Sequence, residues 1–281
     1  MAIRRLEDLT LKDDFMFGAV MIEEDNCKGL LERILNVSIQ QVTVDRQKSI
    51  VGNTENKGVR LDVLAKDEKN THYNVEMQVV KKNELEKRNR FYHSRLDLEL
   101  LRKGQAYSWL SDVYVIFICD FDPFGLKKYC YSFEQRCMED GTLSLNDGSK
   151  SLFLSTAGNN PEEVTPELVK FLEYVRTDSP ELAREDVFLK RIQETIDRVK
   201  EDREMGDRFM IFEEMLSERE AEGEARGEAR GEARGEAKGE RKKLTEQIQK
   251  KLARGNSAEE IADMLETDLE QVNEIIEELE K

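Results

Sequence analysis

Histidine is nearly absent from this sequence: His72 and His93 are the only two in 281 residues. A zinc site is therefore not expected. The four cysteines, Cys27, Cys119, Cys130 and Cys137, show no C-x-x-C spacing and no nearby histidine cluster, so they read as reduced thiols. No apolar run approaches the roughly 18 residues a membrane span needs. The start, Met-Ala-Ile-Arg-Arg-Leu-Glu-Asp, lacks the apolar core of a signal peptide. A cytoplasmic protein is the expectation. Apolar side chains are also sparse, 38% of the chain against 37% charged. Part of the chain is therefore expected to be extended or helical and exposed to water.

The formal net charge of −16 argues against a nucleic-acid partner if taken as a whole. Its distribution weakens that objection. Residues 1–110 hold 19 basic and 18 acidic side chains, and the remaining residues hold 25 and 42. The acidity belongs to the C-terminal part.

Gly58 to Gln78 reads as a hairpin. Two β-like runs, Val59–Ala65 and His72–Val79, flank the polar segment Lys66–Thr71. Successive side chains on a strand point to opposite faces. Glu76 and Gln78 then share one face, while Val75, Met77 and Val79 share the other. Asp62 shares its face with Arg60 and Leu64. If pairing brings the Asp62 and Glu76 faces together, two carboxylates converge beside a glutamine. A hard cation such as Mg²⁺ takes oxygen ligands of that kind and keeps several waters. It then polarises a phosphate and activates a bound water. A solvated hairpin surface carries the same residue types, so the triplet alone leaves both readings open.

Asp62 followed by Glu76-x-Gln78 on the next strand resembles the PD-(D/E)XK nuclease superfamily. More closely, it is similar to the recombination-promoting nuclease and putative transposase family, whose last motif position is often Gln instead of Lys. The resemblance takes in Thr10-Leu11-Lys12-Asp13-Asp14-Phe15-Met16-Phe17, Arg90–Asp97, Lys103–Tyr107 and Val115–Phe124, and covers about residues 8–175. It implies an α/β fold with a restriction-endonuclease-like mixed sheet flanked by helices, followed here by a long charged helical tail. It further implies a Mg²⁺-dependent DNA endonuclease, with Mn²⁺ as the alternative ion. Asp62 and Glu76 would be metal ligands, and Asp14, at the start of the first helix, a further candidate ligand. Asp62, Glu76 and Gln78 would form the catalytic set. Gln78 departs from lysine in one respect: it hydrogen-bonds but carries no charge. A nuclease-fold DNA-binding or protein-interaction module without turnover is the alternative.

The rest of the chain fits around this hairpin. Asp13 or Asp14 is placed to cap a helix through Phe15, Phe17, Val20 and Met21, and a second helix is expected over about 26–35. Residues 38–49 read as a strand or its lead-in, and Val51–Lys57 as a loop. A helix is expected over about 82–110, with Arg88, Tyr92 and Arg95 on one face and Leu96, Leu100 and Tyr107 against the sheet. Arg88, Arg90, Tyr92 and Arg95 are the candidate nucleic-acid contacts, although a solvated helix face has the same composition. Asp112–Cys119 is the most hydrophobic run and reads as a central buried strand, with Asp120 and Asp122 at its polar end. Lys128–Gln135 and Ser151–Ser155 are further strand candidates. Thr165-Pro166 opens a helix with Pro in the first turn.

The core is expected over residues 1–177, with a helical extension over 178–222. A Gly-Glu-Ala-Arg repeat begins at Gly223, Gly227 and Gly231, with Gly-Glu-Ala-Lys at Gly235. Over 223–240 it reads as a linker or a marginal helix, because each Gly costs up to about 1 kcal/mol relative to Ala. Residues 241–281 resemble a two-helix, helix-turn-helix-like module. From Ser257 to Lys281 there are ten acids and one base. Such a helix pair would be repelled by phosphates, so protein contact or homo-oligomerisation is the expectation for it.

Overall fold

Val, Ile, Tyr and Phe fill the strands and so give the fold its sheet. In the computed structural model, which describes residues 4–45, 49–50, 59–60, 62–81 and 83–279, six strands form one mixed sheet. They are β1 (Val42–Asp45), β4 (Val63–Asp67), β5 (His72–Gln78), β6 (Val113–Cys119), β7 (Cys130–Phe133) and β8 (Ser149–Ser155), in the spatial order β1-β4-β5-β6-β8-β7. The ladders β1–β4, β4–β5 and β7–β8 are antiparallel, whereas β5–β6 and β6–β8 are parallel. A separate two-stranded ladder joins β2 (Ser49–Ile50) to β3 (Val59–Arg60). The mixed α/β architecture expected from the sequence is the one observed. β6 lies in the middle of the sheet, in keeping with its apolar character on both faces.

The first unit carries six helices among the described residues: α1 (Asp14–Met21), α2 (Glu24–Leu35), α3 (Leu85–Leu100), α4 (Pro166–Thr177), α5 (Pro180–Glu185) and α6 (Val187–Glu201). α3 covers one face of the sheet. Its Leu85, Tyr92 and Leu96 pack with Leu64, Val113, Val115, Phe117 and Phe153. The alternate sheet residues Val75, Met77, Ile116, Ile118 and Leu154 are buried on the other face. Thr165 caps α4 by accepting from the Leu168 N–H, with Pro166 in the first turn. Phe188, Leu189, Ile192 and Ile196 of α6 are buried, and Phe171 of α4 meets Phe188 at 6.2 Å. Apolar packing thus continues well past Arg176.

Several expectations need correction. The first hairpin strand is not continuous over 59–65: Asp62 sits in a bend between β3 and β4. The third helix ends at Leu100 rather than near Leu110. Leu101 turns extended and Gly104 takes a φ of +92°, which few residues other than glycine adopt. Tyr107 consequently does not reach the sheet and is 86% exposed. Asp13 occupies the N-cap position of α1 without capping it through its side chain. Its carboxylate instead accepts from the Thr10 N–H at 2.8 Å and from Arg4. The loop expected over 51–57 lies outside the described residues.

The chain divides into two compact units between Met210 and Ile211. The Gly-Glu-Ala-Arg repeats fall within one helix, α7 (Arg203–Leu252), and a Cβ added at Gly223, Gly227, Gly231, Gly235 or Gly239 would meet nothing within 4 Å. In the second unit three helical segments pack rather than two. Leu244, Ile248 and Leu252, spaced one helical turn apart on α7, join α8 (Ala258–Leu265) and α9 (Leu269–Leu279) around Ile261, Val272 and Ile275. Ser257 and Glu260 form a reciprocal capping box at the start of α8.

Candidate active site

The register of β4 on β5 brings the two acids together. Val63 faces Val75 and Leu64 faces Asn74, so one residue earlier Asp62 comes opposite Glu76. The bend at Asp62 turns its backbone N–H onto Glu76 Oε1 at 3.3 Å. Its own Oδ2 accepts the Met77 N–H at 3.0 Å. Glu76 is 2% exposed, and Asp62 is half-buried.

α3 supplies the other partners of Glu76. Arg88 Nη2 lies 3.2 Å and the Tyr92 hydroxyl 3.1 Å from Glu76 Oε2. Arg88 Nη1 donates to Gln78 Oε1 at 2.9 Å, and Gln78 Nε2 donates to the Met77 carbonyl. The guanidinium lies 5.3 Å from the ring centroids of both Tyr92 and Phe117.

Electrostatics mark this pair. Burial pushes Asp62 well above the usual carboxylate range, and the neighbouring Glu76 and Asp14 add to the rise. Burial pushes Glu76 up to about 7, against the pull of Arg88, the Asp62 N–H and the Tyr92 hydroxyl. Two carboxylates withdrawn from water beside each other form a donor set for a hard divalent cation, which typically takes one or two carboxylates and keeps waters. Among the described residues no group of three or more His, Cys, Asp or Glu side chains is arranged to hold a metal ion. Asp14 is exposed at the first turn of α1 and acts on Asp62 through charge.

The remaining candidates separate. Arg88 and Tyr92 face the carboxylates, and Tyr92 is only 7% exposed. Arg90 is exposed and Arg95 half-buried on the same helix. Asp120 accepts from Lys12 Nζ at 3.0 Å and from the Thr156 hydroxyl at 2.9 Å. Asp122 accepts from the Tyr131 hydroxyl at 2.7 Å and from the backbone N–H groups of Phe124 and Lys127. These contacts make both aspartates anchors of the turn after β6.

Sequence reasoning missed three features. Asn74 lies on the Glu76 face of β5, fully buried; it pulls the Glu76 pKa down, yet among the described residues its amide makes no hydrogen bond of normal geometry. Period-two alternation from Glu76, together with the rarity of Asn in strands, could have flagged it. Phe117, opposite Glu76 in the β5–β6 register, is a shelf for the guanidinium. His93 ties α3 to β8: its ring nitrogens lie 3.1 Å from the Ser149 hydroxyl and 3.0 Å from the Ser151 hydroxyl, and Asn89 donates to Ser151 at 2.8 Å. No local sequence signal gives that contact, which spans 56 and 58 residues of chain.

A model of the family described as PD-(D/E)XK nuclease family transposase matches residues 11–220. Neither the curated proteins nor the solved structures contain a match to this chain.

Proposed function

The chain belongs to the PD-(D/E)XK nuclease family transposases, and from that membership we propose that it is a metal-dependent endonuclease hydrolysing phosphodiester bonds of DNA. One observation carries the proposal: the Asp62 N–H meets the Glu76 carboxylate while Asp62 Oδ2 accepts the Met77 N–H, so the two acids lie against each other near the end of β5. Asp62 and Glu76 would hold Mg²⁺ or Mn²⁺, and Asp14 adds negative charge beside them. When bound, such an ion supplies Lewis-acid polarisation of the phosphate and a more acidic water. Arg88 and Tyr92 fix the Glu76 carboxylate from the helix side, and the Gln78 amide oxygen accepts from the same Arg88. Arg90 and Arg95 would hold the DNA backbone by charge.

The test is cleavage of plasmid DNA by the purified chain with Mg²⁺, with EDTA, and with Asp62→Ala or Glu76→Ala. Metal-dependent cutting lost in either variant, with the fold retained, supports the reading. Equal cutting by both variants would overturn the site.

A second reading has its own observation. Glu76 Oε2 is already engaged by Arg88 and Tyr92, and the neighbouring Gln78 is uncharged. A nuclease-fold DNA-binding or protein-interaction module without turnover fits that pairing, and it predicts that Asp62→Ala binds its partner as the parent does. Self-association through the C-terminal helices belongs to either reading, and analytical ultracentrifugation would read it.

A further inference from the structure

A glutamine cannot carry charge, yet a phosphodiester in the act of hydrolysis gathers negative charge that a nearby cation stabilises. Position 78 therefore raises the question of where the cation is. The structure contains one in contact with the glutamine itself. Arg88 Nη1 is 2.9 Å from Gln78 Oε1, and Nη2 is 3.2 Å from Glu76 Oε2. Both contacts come from the first turn of α3, which the Arg88 N–H closes onto the Glu84 carbonyl at 2.9 Å.

The guanidinium is held, but it is not used up. Phe117 and Tyr92 fix its position through their ring faces. Among the described residues its five N–H donors make two hydrogen bonds, and the buried Nε has no partner there. The side chain keeps 29% exposure while Glu76 beside it keeps 3%. A planar group with free donors and one open edge, fixed next to two carboxylates, has the form needed to accept a phosphate oxygen.

We infer that Arg88 is the catalytic cation of this site, contacting the scissile phosphate, and that Gln78 is its positioning residue. The inference rests on the nuclease reading above. It moves the charge that the motif lysine carries in the superfamily from β5 to α3, and it gives Gln78 a function that needs an acceptor rather than a proton. Lysine at position 78 beside Arg88 would set two like charges against each other, whereas the amide oxygen attracts the guanidinium.

The experiment measures single-turnover cleavage with Mg²⁺ together with metal-free DNA binding as a function of salt. Arg88→Met is expected to lower the cleavage rate about 10²-fold and to reduce the salt slope of binding by about one. Adding Gln78→Lys to Arg88→Met is expected to restore cleavage at least about tenfold, a rescue that a merely structural role would not give. Parental cutting by Arg88→Met, or no rescue in a folded double variant, overturns the inference. Should Arg88→Met fail to fold, Arg88→Lys serves. It keeps Glu76 paired but loses the planar fork, so cleavage falls if Arg88 grips phosphate and stays parental if it only neutralises Glu76. If the parent binds DNA but never cuts, the nuclease reading fails, and the Arg88 contact is then judged by binding alone. A reduced slope in Arg88→Met upholds the phosphate contact, and an unchanged slope removes it.

Discussion

Asp62 donates its backbone N–H to the Glu76 carboxylate at 3.3 Å, across two strands joined by a tight polar turn. The bend that makes this donor available also ends the strand that the hydrophobic pattern extends over residues 59–65. The break in the strand and the pairing of the acids are one event.

Tyr92 gives the simplest test of the helix side of that pair. Its hydroxyl donates to Glu76 Oε2 at 3.1 Å from a position 7% exposed. Tyr92→Phe is expected to cost about 1 kcal/mol of stability and to slow cleavage several-fold by freeing the carboxylate. Denaturant melts and steady-state cleavage read the two effects. Unchanged values in both would mean that the hydroxyl does nothing for Glu76.

The pair also predicts how stability varies with pH. Burial raises Glu76 from the ordinary 4.5 to about 7. Between those values the folded chain keeps a proton that the unfolded chain has released. The Glu76 contribution to stability of the metal-free protein therefore falls as pH rises through this window, by about 3 kcal/mol, and the raised Asp62 acts in the same direction. A divalent cation competes with the proton, so the rise in Tm on adding Mg²⁺ should grow over the same range. Glu76→Gln should flatten the fall. His93, whose pKa burial lowers, destabilises the fold in the opposite sense as pH drops below about 6.5. It does so equally in both proteins, so the difference between them reports the carboxylate pair, Glu76 together with the rise it imposes on Asp62. Parallel curves for parent and variant would refute the assignment.

Ser151 is 6% exposed and serves both His93 Nε2 and Asn89 Nδ2. Ser151→Ala leaves the buried His93 and the half-buried Asn89 without that partner, at about 1–3 kcal/mol for the buried group. Because Arg88 and Tyr92 lie on the same helix, hydrogen exchange should also show earlier opening of α3. A variant as stable as the parent would show that the serine contributes little to holding the helix.

In the second unit, Ile248 is fully buried among Ile261, Val272 and Ile275. Ile248→Ala is expected to cost about 2–5 kcal/mol. Amides of α8 and α9 would lose protection in hydrogen exchange first. Unchanged protection there would mean that the α7 segment is not part of this small core.

What could be read in advance follows the range of the interactions. The β4–β5 hairpin and the convergence of Asp62 with Glu76 rest on alternation along neighbouring strands, and both are visible in residues 58–79. α1, α2 and β6 follow from apolar patterning close in sequence, and α4 from such patterning together with its Thr165-Pro166 cap. The end of α3 was legible only through Gly104, whose positive φ signals the stop that the charged run Arg102-Lys103 conceals. The Arg88–Gln78 bond depends on how α3 rotates on the sheet, which is set by distant partners such as Ser151 and Phe117. Asn74, buried beside Glu76 with an amide that makes no hydrogen bond of normal geometry among the described residues, departs from the rule that polar groups in a core are paired. Departures of that kind concentrate at functional sites.

Among the described residues, every side chain that hydrogen-bonds Glu76 or Gln78, together with Asp62 itself, comes from one uninterrupted run, residues 62–92. Asp14, through charge, and Phe117, beneath the Arg88 guanidinium, approach from elsewhere in the chain. Contiguity of this kind keeps the order of these residues independent of how the remaining segments are joined, provided β6 and β8 still seat α3. New termini opened in the exposed turn at Asp140-Gly141 would leave the order of the site untouched. A circular permutant cut there should carry the same reactive cluster as the parent, and lineages that rearrange their outer helices would keep it intact.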